Sequence, residues 1–275
     1  PGIASGSPAV LLAAIGARTT RIRLGSGGVM LPNHRPLVVA EQFLMLAGLY
    51  PGRIDLGLGR SLGFTAPVRA ALGREEATPE SFGEEIVQLR ALLEGTAEPT
   101  ARPTGGSAVP LFVLATGSGI ASAAALGLPL VIGGPVLTSS DLPERLAAYR
   151  RDFRPHRGSA PQVIPSLDVL IADTEAEARE LALPEAWAMA RSRTTGLFDP
   201  LAPIAQIRAQ RWSDKDRRRV ESSLATTAAG TEQSVRRRLE QLVERTGAQE
   251  ILSTGSTYDR VALADSDRRL AELLA

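Results

Sequence analysis

Short runs of aliphatic and β-branched residues, each followed by a segment of helical spacing, recur along almost the whole chain, and this alternation restricts the fold more than any other feature. Repeated βα units build parallel sheets whose strands are joined by helices, either a doubly wound open sheet or a closed eight-stranded barrel. Strands are expected at Ile22–Met30, Arg53–Gly59, Leu111–Ala115, Leu130–Gly133 and Glu250–Thr254, with a fifth in sequence at 163–172 interrupted near Pro165-Ser166. Helices are expected after Ser7-Pro8, at Leu37–Leu49 and Pro79–Leu93, after Gly119, from Ser140-Asp141 to about Phe153, after Thr174, near Asp214–Leu224, from Thr231 to Gly247 and at the C-terminus. Thr78 and Thr174 are the expected N-caps, and Gly95 and Gly247 the expected stops. The segments 96–108 and 194–227 carry no periodicity apart from the charged helix within the second.

Several strands end in small residues followed by loops of unequal length, which suits a barrel that builds its site at one face. The expectation is therefore an α/β fold of the (β/α)8 TIM-barrel kind, with residues 1–275 as one domain. Six strands do not close such a barrel, and the sequence opens on Pro1 and enters a helix at once. One or two further βα units, about 30 residues each, are expected ahead of Pro1.

Composition removes several classes of function. The net charge is +1, so nothing electrostatic marks a nucleic-acid binder. Cysteine is absent, which excludes disulfides, thiolate metal sites and a cysteine nucleophile. No apolar run approaches the roughly 18 residues of a membrane span, and no basic-then-apolar leader is present. A cytoplasmic location is the expectation. Lys215 is the only lysine among the basic residues, so the chain is arginine-rich throughout.

Three strand ends carry candidate chemistry. Gly25-Ser26-Gly27-Gly28 forfeits side-chain packing, which suits either a bulge at a sheet rim or a flat ligand lying against bare backbone. Arg60, after Leu58-Gly59, is either a solvated loop arginine or a partner for an anionic group. Thr116-Gly117-Ser118-Gly119, between a strand and a helix, is either a tight turn or a phosphate cradle of hydroxyls and free N–H groups. It is neither a P-loop nor a complete dinucleotide fingerprint. His34 follows a strand and is a candidate to face the site, whereas His156 reads as a helix-terminal cation. Neither belongs to a metal-spaced cluster, and no Gly-x-Ser-x-Gly elbow supports a serine hydrolase. The run Asp214–Arg219 reads as a solvated helix face.

Taken together, Arg21–His34, Pro36–Phe43 and Pro51–Arg60 closely resemble the bacterial-luciferase-like monooxygenases, flavin-dependent (β/α)8 barrels. Weaker similarity continues through Thr116–Gly119, Leu126–Pro129, Ile171–Thr174 and Gly247–Ile251, so it spans nearly the whole chain. The resemblance implies that Ser26, Gly27 and Gly28 pack against the flavin ring, with the Gly27–Gly28 bond matching a non-proline cis peptide. It implies that Arg60 lies near the FMN phosphate and that Thr116, Gly117, Ser118 and Gly119 form the loop around it. The family's Glu-His-His segment has no counterpart here, and Gly119 stands where a hydroxyl residue is common.

The activity so implied is oxidation of a small organic substrate by O2 and reduced FMN, the latter supplied by a separate flavin reductase, in a homodimer without nucleic-acid or membrane partners. No catalytic side chain is assigned, because the redox chemistry belongs to the cofactor. His34 is the candidate to meet the substrate. Two rivals stand beside this reading: a non-catalytic flavin-binding barrel, either a pseudoenzyme or a supporting subunit, and a deazaflavin-dependent enzyme of hydride transfer.

Overall fold

The computed structural model describes residues 6–62, 66–73, 76–117 and 119–274. These form two compact units, one running to Val131 and resuming over Glu144–Gln162, the other comprising Ile132–Pro143 and the chain from Val163 onward.

In the first unit the order is α1 (Pro8–Gly16), β1 (Leu24–Met30), α2 (Pro36–Leu49), β2 (Ile54–Gly59), α3 (Ala66–Leu72), α4 (Pro79–Leu93), β3 (Leu111–Ala115), α5 (Gly119–Leu126) and the first half of β4, whose residues are Leu130–Gly133. The helix α6 (Leu142–Asp152) completes it. The strands lie in sequence order, and β1, β2 and β3 pair in parallel. Helix α4 shows why the unit holds. Thr78 and Ser81 close a capping box at its start, and Phe82, Ile86, Leu89 and Leu92 recur at helical spacing as a buried stripe. Each such side chain contributes about 1.5–3 kcal/mol by leaving water. Tyr149 of α6 is 1% exposed. Its hydroxyl lies 2.9 Å from the Leu128 carbonyl and 3.1 Å from that of Gln162, and it accepts the Gln162 N–H at 3.2 Å.

The second unit places β5 (Val163–Ile171) between β6 (Ala228–Gly230) and β7 (Leu252–Thr254), all parallel. Its helices are α7 (Glu175–Thr195), α8 (Ile204–Arg208), α9 (Asp214–Thr226), α10 (Glu232–Thr246) and α11 (Arg260–Leu274). Thr174 caps α7 in a box with Glu177, and Gly196 and Gly247, both left-handed, end α7 and α10.

Five elements depart from the sequence reading, the first being α8, a short helix within the stretch 194–227 that reads as irregular apart from its charged helix. Strand β6 lies directly after the stretch 194–227, where the sequence reading assigns no element, because Ala-Ala-Gly carries no strand propensity and only its pairing with Val169–Ile171 makes it extended. The described strands therefore number seven. Strand β5 runs through Pro165 and Ser166 without a break. Helix α3 lies between β2 and α4, where the sequence reading places no element, and it buries no residue. In the charged run of α9, Asp216 is 8% exposed and closes a capping box with Ser213, so that run is not solvated throughout.

Candidate functional site

The parallel register brings three strand ends to one edge of the first unit. Met30 pairs with Gly59 and Leu58 pairs with Val113, so Arg60 and Thr116-Gly117 follow the C-terminal ends of adjacent strands, whereas Ser26–Gly28 lie in the middle of β1, with Ser26 opposite Leu56 and Gly27 opposite Gly57. Ligands of parallel α/β sheets gather at that edge. Ser118 lies outside the described residues.

The glycines of β1 are of two kinds. The pairing with β2 skips from Gly27 to Val29, so Gly28 is the extra residue of a bulge. A Cβ on Gly28 would meet the Gly57 carbonyl oxygen at 2.6 Å, and one on Gly57 would meet the Ser26 carbonyl oxygen at 2.1 Å. Both are glycine because the strands close on each other there. Gly27 is different: a Cβ on it would find nothing within 4 Å, so its exposed face is bare backbone with open space beside it. The Gly27–Gly28 peptide bond is cis. The Ser26 hydroxyl is engaged within the sheet, donating to the Gly57 carbonyl at 3.0 Å and accepting from its N–H at 3.1 Å. It fastens the bare segment to β2.

Arg60 follows β2 and is half-buried. Its charge reaches Glu80 at the start of α4. That carboxyl sits below the usual range, first through hydrogen bonds to its own backbone and to Thr78, with the Arg60 guanidinium adding attraction. Thr116 is exposed at the end of β3, and Gly119 opens α5. A Cβ at 119 would approach that of Ala115 to 2.9 Å, a physical reason for glycine where a hydroxyl residue was expected. Backbone N–H groups at such a helix start suit an anionic oxygen.

His34 lines a cavity of about 280 Å³ together with Gly28, and burial holds its pKa below the usual histidine value. Asn33 lines the same cavity, and both atoms of its carboxamide are sealed from solvent with no hydrogen-bond partner. Nothing in the sequence spacing singled Asn33 out, since it reads as one polar residue of a Pro-rich turn. His156 lies elsewhere, 2.7 Å from Glu94. The sequence reads it as a helix-terminal cation; it lies four residues past the end of α6, with its Nε2 against a Glu94 carboxylate oxygen. Among the described residues no cluster suits a metal, and no helix is long and apolar enough to cross a membrane.

The sequence model of the luciferase-like monooxygenases matches residues 1–250. The chain belongs to this family. A luciferase-like monooxygenase of Escherichia coli K12 is 35% identical over 269 residues, covering 95% of this chain and 79% of the relative. The solved structure of apo-MsnO8 superposes with a TM-score of 0.83 at 32% identity, over 98% of this chain and 82% of that one. The fold is thus the α/β, TIM-barrel type of the luciferase-like enzymes. Two distant structures share that fold. One is the oxygenating component of 3,6-diketocamphane monooxygenase from Pseudomonas putida in complex with FMN, at TM-score 0.68 and 19% identity, covering 96% of this chain and 82% of that one. The other is an F420-dependent secondary alcohol dehydrogenase, at TM-score 0.72 and 15% identity, covering 98% and 85%.

Proposed function

We propose that this luciferase-like chain is an FMN-dependent monooxygenase, taking reduced FMN from a separate reductase and using O2 to oxidise a small neutral molecule. The observation that carries the reading is the edge of β1. Gly27 offers a side-chain-free surface with open space beside it, and Arg60 and Thr116 stand at the ends of the next two strands. A planar ring needs such a surface, and a phosphate tail needs such neighbours.

When bound, the flavin supplies the electron transfer to oxygen and substrate. The chain's own residues have narrower tasks. Gly27 and Gly28 offer backbone to the ring, Ser26 holds that backbone to β2, and Arg60, Thr116, Gly117 and Gly119 receive the phosphate, with Ser118 assigned to the same loop. The buried strand residues behind the edge, among them Leu56, Leu58 and Val113, exclude water from below.

The likeness to an F420-dependent dehydrogenase supports a second reading, a deazaflavin cofactor. Titrating the purified protein with FMN and with F420 separates them: quenching by FMN alone supports the first, by F420 alone the second.

We assign the homodimer to α1 and α2, which pack together and carry Val10, Leu11, Val38, Met45 and Leu49 exposed. Val38, Met45 and Leu49 share one face of α2 by their spacing. Residues so apolar are ordinarily covered.

A further inference from the structure

Two adjacent side chains beside Gly28 have unmet hydrogen-bonding capacity. The Asn33 carboxamide has no partner for Oδ1 or Nδ2. The His34 imidazole has none among the described residues either. A buried unpaired amide is less stable than an apolar side chain of the same shape, so packing gives no reason for asparagine at 33. The cavity the two residues line measures about 280 Å³, far more than the roughly 30 Å³ that a single water takes. Its other walls are apolar, with Val29, Met30 and Leu72 among them, and no described lining residue carries a full charge. No described residue therefore offers an anion a counter-charge there, and a wholly apolar molecule would leave Asn33 unpaired.

We propose that Asn33 and His34 form the specificity-determining pair of the substrate pocket, holding the polar end of a compact neutral carboxamide while Val29, Met30 and Leu72 hold its apolar body. The argument is one of complementarity. A carboxamide presents a carbonyl acceptor beside an N–H donor, and the Asn33 side chain presents the matching donor and acceptor. A neutral imidazole adds one more donor or acceptor according to its tautomer. Both amide atoms are closed off from solvent, so a ligand bonds to them only as the cavity wall gives, and the unbranched Met30 is the most adaptable part of that wall. The assignment to substrate rests on the reading that the flavin occupies the Gly27–Gly28 edge.

The chain has two histidines, so imidazole NMR signals report the site directly, with His156→Gln assigning the pair. Isovaleramide is the probe, titrated into protein free of FMN. The His34 signals are expected to shift and those of His156 to stay, and Asn33→Leu is expected to weaken the amide at least tenfold. Because that substitution removes an unpaired buried amide, it is also expected to raise Tm by about 2–4 °C. Asn33→Ala, which adds no volume, gives the affinity loss if leucine does not fit. Isovaleramide that leaves His34 unmoved, or binds both Asn33 variants as tightly as the parent, overturns the proposal whatever FMN does. An Asn33 variant that keeps the amide and loses FMN shows that the side chain reads the flavin, and overturns it too. Failure of the parent protein to bind FMN counts against the cofactor reading alone.

Discussion

Ser26 and Gly57 are locked together across β1 and β2. The hydroxyl of the first bonds both the carbonyl and the N–H of the second, and the Ser26 carbonyl oxygen stands 2.1 Å from where a Gly57 Cβ would be. That contact lies directly behind the bare segment of β1. Gly57→Ala is expected to cost about 1–3 kcal/mol or more by overpacking, whereas Ser26→Ala is expected to cost about 1 kcal/mol for each bond lost. Urea unfolding checks both, and an alanine at 57 with parental stability would show that the strands are not in close contact there.

Gly27 and Gly28 are expected to behave oppositely when changed to alanine. Gly28→Ala collides with the Gly57 carbonyl and lowers stability. Gly27→Ala meets open space, keeps Tm close to that of the parent, and weakens FMN about tenfold by lifting the ring from the backbone. Thermal melts paired with fluorescence quenching measure the contrast. Parental FMN affinity in Gly27→Ala would move the ring off this surface.

The pH dependence of stability is expected to show Tyr149 in the alkaline range. Burial is the main reason that its phenol pKa is pushed up to about 12. In the unfolded chain the same group titrates near 10, at about the free tyrosine value. Its contribution is therefore complete below about pH 10 and falls away as pH rises through the folded pKa, because only the unfolded chain loses the proton in between. Tyr149→Phe should flatten that limb of the stability curve while costing about 1–2 kcal/mol at neutral pH. An unchanged alkaline slope would contradict the assignment.

Met45→Glu on α2 is expected to shift the protein from dimer to monomer, read by sedimentation velocity, because a charge at the centre of the Val38–Leu49 stripe opposes its burial. The added carboxylate, at a position 54% exposed in the single chain, keeps the variant at least as soluble as the parent. An unaltered sedimentation coefficient would place the dimer contact elsewhere.

What was legible in the sequence follows from where each signal resides. Leu111–Ala115, Leu130–Gly133 and Pro79–Leu93 were read with their observed bounds, since each carries its own periodicity and its own punctuation by Pro, Gly or a capping threonine. Ala228–Gly230 and Ala66–Leu72 were not, the first because neighbouring strands alone extend it, the second because it has no buried face to leave a pattern. The site divides in the same way. Clustered glycines in a strand announce a special backbone, but only tertiary approach distinguishes Gly57 and Gly28, which crowding requires, from Gly27, which faces open space. Asn33 left no trace at all, because an unmet hydrogen bond is a property of surroundings that a turn sequence does not encode.

The central claim is that a phosphate-tailed flavin spans from Gly27 to Arg60, and paired titrations with FMN and with riboflavin, which lacks the phosphate, test it most directly. A charge-assisted contact is worth about 1.5–3 kcal/mol, or roughly ten- to a hundredfold in affinity. FMN should bind the parent protein tighter than riboflavin by that factor, and Arg60→Ala should bring the two ligands to nearly the same affinity. Equal binding of FMN and riboflavin by the parent, or a preference for FMN that survives Arg60→Ala intact, would contradict the account.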